Sequence, residues 1–306
     1  MGGFFSEDDF QALTATPEIA LPSARNDHEL FERLVEHGYK IVNFPGCTTN
    51  YEDYVDWHAD RSTDASHHAA CEGFGVTFRL KSPHSDIVKE LEAFLAGADF
   101  NQALAEKFGV DIQKTTRDNG IQKYLDGYEI SPHPDVRNKA LTYMVNINPS
   151  TDSESADHHT HYLRLRPEFD FVSAFWKRNP NVERCWLPWQ WCETVSVQSA
   201  NNSFVAFAPG CETFHGVRAR YRHLESQRTQ LYGNLWWPNS DCLVHIEWDE
   251  LLRLHDKPLA AAARIAPYKL KAMIPSSIRA RLRRSLRTPD KTPVDQNVVQ
   301  DRRNDK

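Results

Sequence analysis

Between about Lys114 and Trp248 the chain breaks into short stretches of alternating apolar and polar residues, separated by clusters of Pro, Gly, Asn and Asp. The stretches are 120–130, 139–148, 160–165, 194–199, 203–207 and 229–236, with 244–248 as a seventh. A side-chain period of two over 4–8 residues suits a strand with one face buried, and turn residues at regular intervals fold such strands back on one another. That spacing points to a double-sheet roll or barrel. Ahead of it the period changes. Asn26 or Asp27 can cap a helix carrying Leu30, Phe31, Leu34 and Val35, and Gly38 stops it. The segments 39–44 and 75–80 read as strands, and Asp86 to about Phe108 as a helix with Ile87, Leu91, Phe94 and Leu95 on one face.

Composition narrows the function classes. The 306 residues are 40% hydrophobic and 25% charged, as in a globular protein, and a net charge of -6 excludes a uniformly basic nucleic-acid coat. No run reaches the roughly 18 apolar residues of a membrane span, and the acidic start MGGFFSEDDF is unlike a signal peptide; the expected setting is cytoplasmic. Six scattered cysteines with no CxxC pair read as buried thiols, not a zinc knuckle. Charge is unevenly placed: residues 257–306 carry +9 and the remainder -15. The organisation that follows is a lead-in over 1–24, a main folded domain over 25–250, a basic helical extension over 251–287 and a polar, disordered tail over 288–306. In the extension Ile278, Leu282 and Leu286 recur between arginines, a pattern that suits an anionic membrane surface or an acidic partner or face.

The chemistry concentrates in two places. His133 and Asp135 stand two apart and project together from an extended backbone. His215 follows a strand and a turn, in Phe214-His215-Gly216-Val217. Two imidazoles and one carboxylate are the donor set of a non-haem Fe(II) site with open positions. Arg228 begins the next strand, and a guanidinium directed into a sheet interior suits the distal carboxylate of a dicarboxylic 2-oxo acid. Arg220 and Arg222 are the alternatives for that role.

The sequence Tyr-x-x-Gly-Tyr-x-x-x-x-His-x-Asp from Tyr124, then Lys139–Pro149, then Phe214–Val217 and Arg228, resembles the 2-oxoglutarate/Fe(II) dioxygenases, most of all their prolyl-4-hydroxylase-like branch. Leu34–Val42 is similar to that branch's opening helix and strand. The resemblance spans about residues 27–240. It implies an α+β, mainly β fold: a double-stranded β-helix (jelly roll, cupin-like) with supporting N-terminal helices and a basic C-terminal helical tail. It implies that His133, Asp135 and His215 bind Fe(II), and that Arg228 holds 2-oxoglutarate with Tyr124 and Asn146 lining its site. Thr142 shares a strand face with Asn146 and joins this set, whereas Tyr143 faces away into packing. The implied reaction consumes 2-oxoglutarate and O2, releases succinate and CO2, and hydroxylates a substrate; desaturation and ring formation are variants. Two features depart from the family. His158-His159-Thr160-His161 replaces a Gly-Gly-x-Leu step, and the His215–Arg228 spacing is long.

The substrate is the open point. A small or carrier-linked metabolite is expected, with no nucleic acid, and residues 150–193 as the segment that sets specificity. His161, Arg164 and Arg79 are candidate substrate contacts. His158, His159 and His161 lack a carboxylate or cysteine partner at chelating spacing and read as polar or substrate-facing residues. Trp186, Trp189 and Trp191 form either a sugar-stacking platform or a packing cluster. The rival functions are a peptidyl prolyl hydroxylase and a cupin-like metal-binding module without turnover.

Overall fold

The computed structural model describes residues 3–42, 73, 75–238 and the backbone of 244–245. The loop expected to carry His58, His67 and His68, the basic helix over 251–287 and the tail over 288–306 lie outside the described residues.

The chain opens with α1 (Glu7–Thr14), α2 (Asp27–Glu36), β1 (Tyr39–Ile41) and β2 (Thr77–Leu80), followed by α3 (Asp86–Ala96) and α4 (Ala98–Phe108). Strands β3 (Thr116–Tyr124), β4 (Glu129–His133), β5 (Lys139–Asn146) and β6 (Thr160–Leu165) come next. Helix α5 (Phe171–Arg178), β7 (Val182–Arg184), β8 (Cys192–Gln198), β9 (Phe204–Phe207), β10 (His215–Arg218), β11 (Arg228–Trp236) and β12 (Val244–His245) complete the order. Among the described residues no helix is long and apolar enough to cross a membrane.

Several expectations need correction. The lead-in segment contains α1, capped by the Ser6 side chain, and Leu13, Ile19 and Leu21 are buried in the main core, so it is part of the domain. The helix expected over 86–108 is two helices, because at Gly97 the backbone turns extended, with ψ 150°. The strand expected over 120–130 is β3 and β4, separated by a turn in which Gly127 takes φ +83°, a conformation a Cβ would oppose. Helix α5 and strands β7 and β10 fall where no period was legible.

Six strands form one sheet in the order β1-β2-β3-β11-β5-β9, and four form another in the order β4-β10-β6-β8. All pairings within the two sheets are antiparallel. The period of two assigns the faces of the larger sheet. Ile121 on β3, Leu141, Tyr143 and Val145 on β5, and Leu231 and Leu235 on β11 join Leu30, Leu34, Leu91 and Leu95 of the helices in one core. The alternate residues turn to the smaller sheet, where the Arg228 Nη2 donates to Thr160 Oγ1 at 2.9 Å and the Asn146 amide donates to Gln198 O at 2.7 Å. Burying one face of this sheet under helices supplies the hydrophobic stabilisation and leaves the opposite face available for polar chemistry. A second core gathers α5, Cys185, Cys192 and Trp191, which places these two thiols in apolar packing, as expected.

Candidate metal and oxo-acid site

His133 closes β4 and His215 opens β10, and the two are directly paired across the antiparallel ladder. Their rings lie 4.3 Å apart by centroid, tilted 48°. The His133 Nδ1 lies 2.8 Å from Ser131 O, and the His215 Nδ1 lies 3.0 Å from Thr213 O. A carbonyl can only accept, so each Nδ1 carries the hydrogen and each Nε2 keeps its lone pair. Both Nε2 atoms face Asp135, at 3.6 Å from Oδ1 and 3.9 Å from Oδ2. Ligand atoms from the three buried residues all fall within 4.8 Å of one another.

The electrostatics suit a cation. Burial, then the nearby His133, depress the His215 pKa to about 4, so the ring is neutral and ready to ligate. Burial alone would raise the Asp135 pKa, but Lys139 and the two histidines hold it well below the usual carboxylate range. Lys139 Nζ donates to Asp135 Oδ1 at 2.6 Å, and Thr142 Oγ1 donates to Oδ2 at 3.0 Å. These contacts fix a carboxylate whose own backbone sits at φ +70°, a conformation that costs a non-glycine residue about 1–3 kcal/mol. Gly216, next to His215, is required by packing: a Cβ there would lie 2.9 Å from the Trp189 ring and 3.1 Å from Ile130 O. This donor set, two neutral imidazoles and one carboxylate, pre-oriented and open on one side, fits a divalent metal such as Fe(II).

The three residues line a cavity of about 300 Å³ whose far wall holds Arg228. That side chain is only 1% exposed. Its Nη2 bonds Thr160, while Nε and Nη1 are buried with no hydrogen-bond partner. Its guanidinium lies 4.6 Å from the ring centroid of Tyr124, its cross-strand neighbour. Phenols of Tyr124, Tyr128, Tyr221 and Tyr162 surround it. Burial lowers its pKa, but a guanidinium remains charged in any protein setting. A buried cation with open donors is costly until an anion meets it. Of the two alternatives, Arg220 is exposed and bridged through its backbone to Asp157, and Arg222 is exposed and paired with Glu225 at 3.1 Å.

The other expected contacts divide. Tyr124 and Thr142 line the cavity. Asn146 does not; its amide donates to Gln198 O and accepts from Gln230 Nε2 at 3.2 Å, tying β5 to neighbouring elements. Arg79 reaches Asp118 at 2.9 Å, Arg164 pairs with Glu193 at 2.6 Å and His161 meets Thr194 Oγ1 at 3.0 Å; none of these three lines the cavity. His158 and His159 lie in the loop that leads into β6, buried and near Arg228. His158 packs edge-on to Tyr221 at 4.5 Å, and burial, then the Arg228 charge, take its pKa to about 2. The tryptophan cluster is split. Trp189 donates to Glu129 and Trp191 stacks on Phe169, while Trp186 reaches the cavity against His133, 4.8 Å away.

Sequence reasoning missed Lys139, Thr160 and Gln230. The Lys139 signal was present in part, since an i, i+4 spacing from Asp135 across a tight turn brings the two together. Thr160 and Gln230 depend on how the sheets face each other, which no local period encodes.

No protein-family model matches the chain, and no curated protein is similar to it in sequence at a significant level. Among solved structures, EvdO2 from Micromonospora carbonacea var. aurantiaca, complexed with 2-oxoglutarate, is 11% identical with a TM-score of 0.28, covering 71% of this chain and 94% of that one. HygX from Streptomyces hygroscopicus, with nickel, 2-oxoglutarate and hygromycin B bound, is 10% identical with a TM-score of 0.30, covering 72% and 91%. Superpositions this loose fix neither fold nor activity.

Proposed function

We propose that the protein is a non-haem Fe(II) enzyme of the 2-oxoglutarate dioxygenase superfamily, prolyl-4-hydroxylase-like branch, that hydroxylates a small or carrier-linked substrate in the cytoplasm. The observation that carries this reading is Arg228, a buried guanidinium with two open donors, in the same cavity as the His133–Asp135–His215 cluster. A metal module without turnover needs the cluster but has no use for that cation. The orders β3-β11-β5-β9 and β4-β10-β6-β8, visited alternately along the chain except at the β6–β8 step within the smaller sheet, support a jelly-roll fold. The motif resemblance supports the branch.

His133, Asp135 and His215 would hold Fe(II), which with 2-oxoglutarate and O2 supplies the oxidising chemistry. The chain's own residues do the rest. Arg228 binds the distal carboxylate by a two-point, charge-assisted contact, and its Thr160 bond fixes the fork. Ile130, Met144 and Val217 line the cavity and exclude water, which strengthens that contact. Thr142 and Lys139 keep Asp135 ionised and aimed.

The test is an anaerobic titration of Fe(II)-loaded protein with 2-oxoglutarate, following the visible charge-transfer band of the chelate. Wild type gives the band, His133→Ala gives none, and Arg228→Ala needs at least about 30-fold more 2-oxoglutarate, the loss expected when one side of a buried charge contact is truncated. Absence of a band in folded, metal-loaded wild type overturns the reading.

A further inference from the structure

We propose that the mouth of the cavity receives a neutral, hydroxyl-bearing sugar ring, an inference that names the substrate class of the oxygenase reading above and rests on it. Strand β11 gives the cavity its direction. Arg228 pairs with Tyr124 at the deep end, Asn234 pairs with Thr142 at the level of Asp135, and Trp236 pairs with Lys139 at the other end. Beyond the metal ligands, Asn138, Lys139, Trp186, Asn234 and Trp236 all line the wall.

Charge is the first filter. Lys139 is paired with Asp135 at 2.6 Å, and Arg184 with Glu183 at 3.5 Å. Asp118, also on the wall, is held by Arg79 at 2.9 Å and by the Tyr232 hydroxyl at 2.7 Å. These ions offset one another within the protein, so a charged ligand group would have to break a pair to be recognised.

Hydrogen-bonding capacity is the second filter. Asn138 Oδ1 is buried and has no partner, so it calls for a donor such as a hydroxyl or N–H group from the ligand. Asn234 lies beside the Thr142 hydroxyl, with its Oδ1 3.1 Å from Oγ1, and its amide adds a second polar group to the cavity wall. Two indoles supply the third. Trp186 stands perpendicular to His133 at 4.8 Å, adjacent to where the oxidation would occur, and Trp236 has Lys139 Nζ at 5.5 Å from its ring centroid. Flat aromatic faces pack against the C–H face of a pyranose while its edge hydroxyls reach amides, and few neutral groups present both surfaces at once. A purely aliphatic ligand would strand the amides. At about 300 Å³ the cavity is at the small end of ligand sites, and its deep part is taken by 2-oxoglutarate in the reading above, so at most one ring enters at the mouth, not an extended oligosaccharide.

The experiment uses the full chain loaded anaerobically with Fe(II) and 2-oxoglutarate. The probes are methyl glycosides of hexoses, 6-deoxyhexoses and N-acetylhexosamines, beside N-acetyl amino-acid amides and a proline-containing peptide. Two signals are read: tryptophan fluorescence and the position of the charge-transfer band. Saturable change in both with at least one glycoside, weakened about tenfold in Asn138→Ala and about tenfold or more in Trp236→Ala, with Trp236→Phe recovering most of it, supports the proposal. An intact band with no response to any glycoside, or a response to the amides or peptide instead, overturns it while leaving the oxygenase reading in place. A missing band overturns both.

Discussion

Lys123 sits one residue before Tyr124 and therefore faces the opposite side of β3, away from the cavity and into the helix-covered core. It is fully buried, donating to Ile19 O at 2.9 Å and to Thr229 Oγ1 at 2.8 Å, with the Tyr39 ring 5.7 Å away. Burial brings its pKa down to about 7, whereas the unfolded chain keeps that proton to about pH 10.4. Between those values the unfolded state binds more protons, so this residue makes stability rise with pH. Urea unfolding of wild type and Lys123→Met across that range will therefore diverge. The wild-type free energy gains on the variant by up to about 1.4 kcal/mol per pH unit, and parallel curves would refute the assignment. The period of two showed which residues of β3 share a face, but the sequence did not show that a lysine would be placed on the apolar one.

At the scale of elements, α3 is held at its N-terminus by a residue from far upstream. Ser85 makes no side-chain cap. Instead Glu18 accepts from the backbone N–H of His84 at 2.8 Å and of Ser85 at 2.7 Å, and from Ser85 Oγ at 2.6 Å. Burial opposes its ionisation, but these donors together lower its pKa. The stability Glu18 adds is thus present above the unfolded carboxyl pKa and lost as pH falls through the lower folded value. Glu18→Ala should cost about 1–2 kcal/mol at neutral pH, with the deficit shrinking in acid; thermal melts at pH 7 and pH 3 decide it. Such long-range caps explain part of what the sequence hid. Strands β5, β6, β9 and β11 were legible because each alternates and ends at a turn residue. Strand β10 has only four residues, too few to establish a period, and α5 fell within 150–193, the stretch read only as the segment that sets specificity. The triad and Arg228 were legible because their chemistry is unusual in a strand setting. Asn146 was expected at the cavity because its face was visible, but its partners Gln198 and Gln230, which hold it away from the lining, were not.

For the whole molecule, the His133–Asp135–His215 cluster joins the two sheets. His133 and His215 belong to the smaller sheet, while Asp135 is anchored by Lys139 and Thr142 of β5 in the larger one. A metal bound at this cluster would select the folded state, so each tenfold excess of free metal over its Kd would add about 1.4 kcal/mol. Nickel or manganese should raise the Tm of wild type, a chelator should reverse the shift, and Asp135→Ala should show none; an unchanged wild-type Tm at saturating metal would contradict the assignment. Strand β11 carries a further consequence. Its nine residues, spanning roughly 27 Å, send Arg228, Gln230, Tyr232, Asn234 and Trp236 to the cavity and Thr229, Leu231 and Leu235 to the core. A single-residue insertion or deletion within it would exchange those two sets beyond the change, discarding anchor, wall and core together. Descendants of this chain can therefore change diet by swapping letters along β11 but not by altering its length, and new specificities that require longer segments must arise in the loops.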